Sequence, residues 1–226
     1  MSVATLPTAK PVEAVAATPE PQTKTFSSGS AHVIHGVTWD DYVRYREHPD
    51  NRGLRMTYDN GVLEIMTLSY FHETVSYLID HYILIWTLHH GIKMQPSGSM
   101  TLRSKPLDKG LEGDQSYYLQ NAATVLGMKD IDTERHPPDL GVEVNHTNSS
   151  IPKMPIYAAL GVPEVWRWRR ETLTVHRLEN KDCIEQAAST ALPEFPLDHL
   201  RGALSRRREV DQTTLMHEFQ DWLNAS

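Results

Sequence analysis

The segment Pro137-Pro138-Asp139-Leu140-Gly141-Val142-Glu143-Val144-Asn145 decides the fold of this chain. It sends Leu140, Val142 and Val144 to one side and Asp139, Gly141, Glu143 and Asn145 to the other, the period-two pattern of a strand. The Leu-Val-Val face predicts a strand in the sheet interior, where carboxylates need a hydrogen-bond partner or a cation. Asp139 and Glu143 share that polar face, and two readings of them are open. In one, Asp139 caps the neighbouring loop and Glu143 pairs with an arginine. In the other the face forms a divalent-cation site, since hard cations such as Mg²⁺ take carboxylate and carbonyl oxygens.

Downstream, Pro152 to Leu160 reads as a short helix closed by Gly161. Strands are expected over Val162–Trp168, Thr172–Leu178 and Asp182–Ala187, an irregular stretch over 189–200, and a closing helix over Thr213–Leu223. Upstream, Asn60-Gly61 between Leu54–Tyr58 and Val62–Met66 is a hairpin signal. Val75, Leu78, Ile79, Tyr82, Ile83 and Trp86 recur at helical spacing within a long helix over Ser69–His90. A short helix over His35–Glu47 starts at Thr38 as N-cap. Strands over Ile92–Gln95 and Met100–Arg103 lead into a loop over 104–113 and a strand over Asp114–Gln120. This order predicts an α+β fold, a mixed, twisted β-sheet flanked by helices.

Prolines at 7, 11, 19 and 21 and the scarcity of apolar residues make residues 1–30 a disordered leader by expectation. One domain is expected over 31–200, followed by a helical extension over 201–226. The net charge of -7 argues against a histone-type basic coat. A single cysteine, Cys183, excludes intrachain disulfides and cysteine-built metal centres. With no apolar leader, the expectation is a cytoplasmic protein with no membrane partner. Two glycosylation sequons, at Asn145 and Asn148, then read as chance matches. The chain has no Gly-rich phosphate loop and no dinucleotide fingerprint, so no nucleotide cofactor is expected; GxSxG and HExxH are missing too.

The segments YDNGVLEIMTLSYFHE, GLEGDQSYYLQN and PPDLGVEVNHTNSSIPKMPIYAALGVPEVWRW occur in order, with Tyr157, Gly161, Val162, Glu164 and Trp166 in register. In these motifs the chain resembles, over roughly residues 36–180, the Uma-type (Uma-two) endonuclease family of the PD-(D/E)XK superfamily. The resemblance implies a restriction-endonuclease-like core and Mg²⁺- or Mn²⁺-dependent hydrolysis of DNA by activated water. It implies Asp114 and Glu143 as metal-binding carboxylates, with the Val144 carbonyl as third ligand. Asp139 reads as an accessory carboxylate, and His72-Glu73 match the His-Glu that opens the family's long helix. A homodimer is implied by analogy.

Two departures stand out. Asn145 occupies the place of the motif lysine and supplies no positive charge, which makes Lys153, at the start of the next helix, the candidate for a migrated lysine. Gln115 beside Asp114 adds no second acid. The alternative is therefore a catalytically degenerate nuclease fold used for binding or assembly. Tyr117, Tyr118, Trp166 and Trp168 read as packing residues, and Arg206-Arg207-Arg208, beside Glu209 and Asp211, as a solvated turn.

The acidity is concentrated. Residues 108–145 hold eight acids against Lys109, Lys129 and Arg135, a balance of -5, and include both expected ligand strands. Bound cations would offset part of it, which predicts weak, metal-dependent contact with DNA.

Overall fold

Asn60 and Gly61 carry positive φ (46° and 84°), the left-handed pair of a two-residue hairpin turn, and fold β2 (Leu54–Asp59) onto β3 (Val62–Thr67). The computed structural model describes residues 29–145, 150–179 and 182–225. The expected leader lies outside the described residues apart from Gly29 and Ser30, which bond to Thr67 at the end of β3. β1 (Ala31–His35), β5 (Thr101–Ser104) and β6 (Lys109–Glu112) complete an antiparallel sheet in the order β1-β3-β2-β6-β5.

Two expectations are corrected here. His35 ends a strand, and the helix α1 spans Trp39–Glu47, with the Thr38 hydroxyl accepting from the Asp41 N–H at 3.2 Å. The expected loop over 104–113 contains β6, because Leu111 buries beside Leu102 while Asp108, at φ 50°, turns the chain between the two strands.

The second sheet runs β11-β10-β9-β8-β7-β4. Its strands are β4 (Gln95–Pro96), β7 (Gln115–Tyr118), β8 (Leu140–Asn145), β9 (Glu164–Arg169), β10 (Thr172–Glu179) and β11 (Asp182–Gln186). β8 and β9 are parallel and the other pairs antiparallel, so this sheet is mixed. The expected α+β class is the observed one, with the strands shared between two sheets.

Leu140, Val142 and Val144 face a core shared with α2 (Tyr70–His89), α5 (Leu197–Arg206) and α6 (Gln212–Ala225). The opposite face meets α4 (Lys153–Ala159), whose Ile156 and Tyr157 pack with Val165, Leu102 and Leu111. A strand covered on both sides is buried throughout, as all six residues of β8 are.

The stretch expected to be irregular contains the start of α5, and residue 200 falls inside that helix. Leu200, Leu204, Leu215, Phe219 and Leu223 are buried in the main core, so α5 and α6 complete it. The triple arginine lies where α5 gives way to a turn, with Arg206 and Arg208 exposed as expected, but Arg207 is not solvated. The Arg207 guanidinium lies 4.9 Å from the Phe71 ring centre and 5.2 Å from that of Trp168, and pairs with Glu171 at 2.6 Å. Tyr117, Tyr118, Trp166 and Trp168 are all buried, as expected of packing residues.

Candidate active site

Gly113 is where the chain leaves the first sheet for the second. Thr57 lies opposite Leu111 and Gln115 opposite Val142; continuing both registers sets Gly113 opposite Arg55 on one side and opposite Val144 on the other. Backbone pairing stops there, and two carboxylates take its place. Glu112 Oε2 accepts from the Met56 N–H at 3.0 Å, and Asp114 Oδ2 accepts from the Val144 N–H at 2.6 Å. Glycine is required at 113 because a Cβ would stand 2.6 Å from the Tyr157 hydroxyl; at Gly141 it would meet the same ring at 3.3 Å.

The room left by these glycines lets Tyr157 reach Glu143. Glu143 Oε2 accepts from the Tyr157 hydroxyl at 3.0 Å. Its Oε1 accepts from Lys153 Nζ at 2.5 Å and from Asn145 Nδ2 at 2.9 Å. Arg167 Nε in turn donates to Asn145 Oδ1 at 2.8 Å. Glu143 and Lys153 are both buried, at 0% and 6% exposure, so this is an ion pair removed from water. α4 begins at Lys153, and that position carries the side chain back over the end of β8.

Asp114 sits beside this pair. Its Oδ1 is 3.0 Å from His72 Nε2 in the first turn of α2, yet the two atoms are not aligned for a hydrogen bond, and both are buried without one. Buried polar atoms in that state call for a ligand, water or ion. His72 Nδ1 faces Glu73 Oε1 at 3.6 Å, and Glu73 is half-exposed. The Val144 carbonyl leaves β8 on the same edge as the N–H that Asp114 receives, since both groups of a strand residue point to one side.

Burial opposes the charged form of Lys153, but the Glu143 and Asp114 carboxylates outweigh it and hold its pKa above the ordinary lysine value. Burial pushes Glu143 up, against the pull of Lys153 and with a further push from Asp114. The Lys153 ammonium, 2.5 Å from Oε1, is the main group that opposes burial on the carboxylate side. Asp114 titrates below its ordinary value: burial works against this, while His72, Lys153 and the Val144 N–H prevail. His72 is raised because the acids around it overcome its own burial.

Asp139, expected as an accessory carboxylate, is engaged elsewhere. It accepts from the Leu119 and Asn121 N–H groups at 2.7 and 3.0 Å and from Asn121 Nδ2 at 2.6 Å, capping the loop before the short helix α3 (Ala122–Val125). The capping reading of Asp139 matches the geometry. Asn145 is buried and bonded through its amide, so its sequon presents no free side chain, and Asn148 lies outside the described residues.

Asp114 opens onto a cleft of about 480 Å³ walled by Arg55, Glu73, Ser76, Asp80 and Gln115. Among the described residues, no group of three or more His, Cys, Asp and Glu side chains forms a ready-made metal cluster. The donors on hand are the Asp114 and Glu143 carboxylates and the Val144 carbonyl. That set fits Mg²⁺, which binds through one or two carboxylates and keeps several waters. Asp114 Oδ1 accepts no aligned hydrogen bond, and its neighbour is His72 Nε2 at 3.0 Å.

Three participants escaped the sequence reading. Tyr157 entered only as a residue in family register, although Gly113 and Gly141 mark the space it fills. Arg167 follows Val165 at strand spacing and lies opposite Glu143, so alternation alone places it on this face. Arg55 carries no local signal.

A family model, Uma2, described as "Putative restriction endonuclease", matches residues 39–206. Among solved structures, the chain is similar to a putative nuclease belonging to DUF820 from Anabaena variabilis. The two share 12% identity with a TM-score of 0.49, over 81% of this chain and 99% of that one. No curated protein matches. Among the described residues, no helix is long and apolar enough to cross a membrane.

Proposed function

The chain belongs to the Uma2 family, and from that premise we propose that it is a metal-dependent nuclease acting on DNA, with its centre at Asp114, Glu143 and Lys153. The observation that carries this reading is the buried Lys153 ammonium 2.5 Å from Glu143, a charge supplied where Asn145 has none. Asp114, Glu143 and the Val144 carbonyl would hold Mg²⁺ or Mn²⁺. When bound, the cation supplies Lewis-acid chemistry, acidifying water and offsetting phosphate charge.

The side chains do the rest. Lys153, with its raised pKa, is a fixed positive charge at neutral pH and not a proton acceptor. It steadies Glu143 and opposes negative charge developing on a phosphate. Tyr157 and Asn145 hold the Glu143 carboxylate in one orientation, and His72 lies against Asp114.

Purified protein should nick supercoiled plasmid in Mg²⁺ or Mn²⁺, lose this activity in EDTA, and lose it in Glu143→Gln. Nicking that persists in Glu143→Gln overturns the assignment. The second reading, a nuclease fold without the chemistry, is favoured by one observation: both Glu143 oxygens already have protein partners. It requires that Mn²⁺ binding be undetectable in the folded protein.

A further inference from the structure

Arg55 is the group in the cleft whose hydrogen-bonding capacity is unused. It lies on β2 opposite the sheet crossing at Gly113, and its side chain walls the cleft onto which Asp114 opens. Its Nε is buried without a hydrogen-bond partner. Glu112, the nearby carboxylate, is already occupied: Oε1 by Arg46 at 2.5 Å and Thr101 at 3.3 Å, Oε2 by the Met56 N–H at 3.0 Å. Glu112 thus carries two arginines, and Arg55 is the one basic side chain among the residues lining the cleft. Asp80, across the cleft, is bound by the Tyr117 hydroxyl at 2.7 Å.

We infer that Arg55 binds a phosphate of the nucleic-acid strand in this cleft, beside Asp114. A planar guanidinium with free donors matches the paired oxygens of a phosphodiester. A phosphodiester has two unesterified oxygens, enough to face Arg55 with one and a cation beside Asp114 with the other. This inference rests on the nuclease reading above.

The test is anisotropy of a labelled single-stranded DNA oligonucleotide with Ca²⁺ in place of Mg²⁺, for the wild type, Arg55→Gln and Arg55→Lys, beside cleavage assays in Mg²⁺. Arg55→Gln should weaken binding about ten-fold, the scale of one charge-assisted contact. It should also lower the slope of log affinity against log salt by about one ion. Arg55→Lys should keep the slope and recover part of the affinity. In cleavage, kcat/KM should fall at least as far as the affinity does. Unchanged affinity and slope in Arg55→Gln, with Glu143→Gln inactive, overturns the role of Arg55 and leaves the nuclease reading standing. A wild type that neither binds nor cuts overturns the nuclease reading, and this inference with it. If Arg55→Gln does not fold, Arg55→Lys decides: wild-type affinity refutes the inference, and reduced affinity at an unchanged salt slope supports it.

Discussion

Replacing Lys153 by Met would strand the Glu143 carboxylate in the interior. The pair is buried on both sides, with Nζ 2.5 Å from Oε1. Breaking such a pair from one side costs about 3–5 kcal/mol. Glu143 has one escape, which is to take a proton. At pH 7, protonating a carboxyl of ordinary pKa ~4.3 costs about 3.7 kcal/mol, at 1.36 kcal/mol per unit. The deficit relative to wild type is therefore capped near 3.7 kcal/mol at pH 7. At pH 5 the same arithmetic caps it near 1 kcal/mol. Without Lys153, burial and Asp114 raise the folded pKa of Glu143 further above its unfolded value. A raised acid contributes its full stability below the unfolded pKa and loses it as pH rises, so the deficit grows from pH 5 to pH 7. Urea unfolding of both proteins at the two pH values measures it. The double variant Lys153→Met, Glu143→Gln removes the stranded charge and should return to within about 1 kcal/mol of wild type. A Lys153→Met deficit under about 1 kcal/mol at pH 7, or one independent of pH, refutes the buried ion pair.

Gly113→Ala drives a Cβ to within 2.6 Å of the Tyr157 hydroxyl and should destabilise by about 1–3 kcal/mol. Adding Tyr157→Phe should relieve much of that loss, and additive losses in thermal melts would show that the contact does not decide the glycine. At the alkaline end, burial and the Asp139 charge push the Tyr118 phenol up to about 12. A phenol raised above its unfolded value of ~10 keeps its stabilisation below pH 10 and loses it as pH climbs through 12. Melting temperature should therefore fall across that window, less steeply in Tyr118→Phe; an identical slope in the two proteins counts against the assignment.

Local patterns written into the sequence survive in the structure where one physical cause dominates. The Asn-Gly turn needs two positive φ angles and has them, and the Thr38 cap bonds its helix. The alternation of β8 separates Leu140, Val142 and Val144 from Glu143, because a strand between two layers must pack both faces. β6 escaped because KGLE holds one buried aliphatic and two charges; it is a strand through its partners β2 and β5 and not through its own pattern. α5 escaped because Pro193 and Pro196 stand before it and hide an amphipathic run, Leu197, Leu200, Ala203 and Leu204, that begins directly after them. Of the candidate site, the carboxylates and Lys153 could be named from motif order, but their distances depend on how α4 returns over β8. Tyr157 and Arg167 depend on that same return.

Glu112 and Asp114 explain why the site lies at the junction of the two sheets. A chain that leaves one sheet for another exposes backbone donors on the strands it abandons, and buried donors without acceptors cost about 1–3 kcal/mol each. Here the Met56 and Val144 N–H groups are the abandoned donors, and the two carboxylates flanking Gly113 accept from them. Each carboxylate then brings a negative charge into the interior, which must be balanced. Around Glu112 the balance is Arg46, with Arg55 in excess; around Asp114 and Glu143 it is Lys153, with negative charge in excess. The seam therefore carries a surplus positive group and a surplus negative group along one cleft. This is the charge pattern on which the proposed roles of Arg55 and of a divalent cation rest. Of the eight acids in residues 108–145, only Glu112, Asp114 and Glu143 belong to this seam; Asp139 caps a loop and Asp130, Asp132 and Glu134 are exposed, so most of the local acidity lies away from the site.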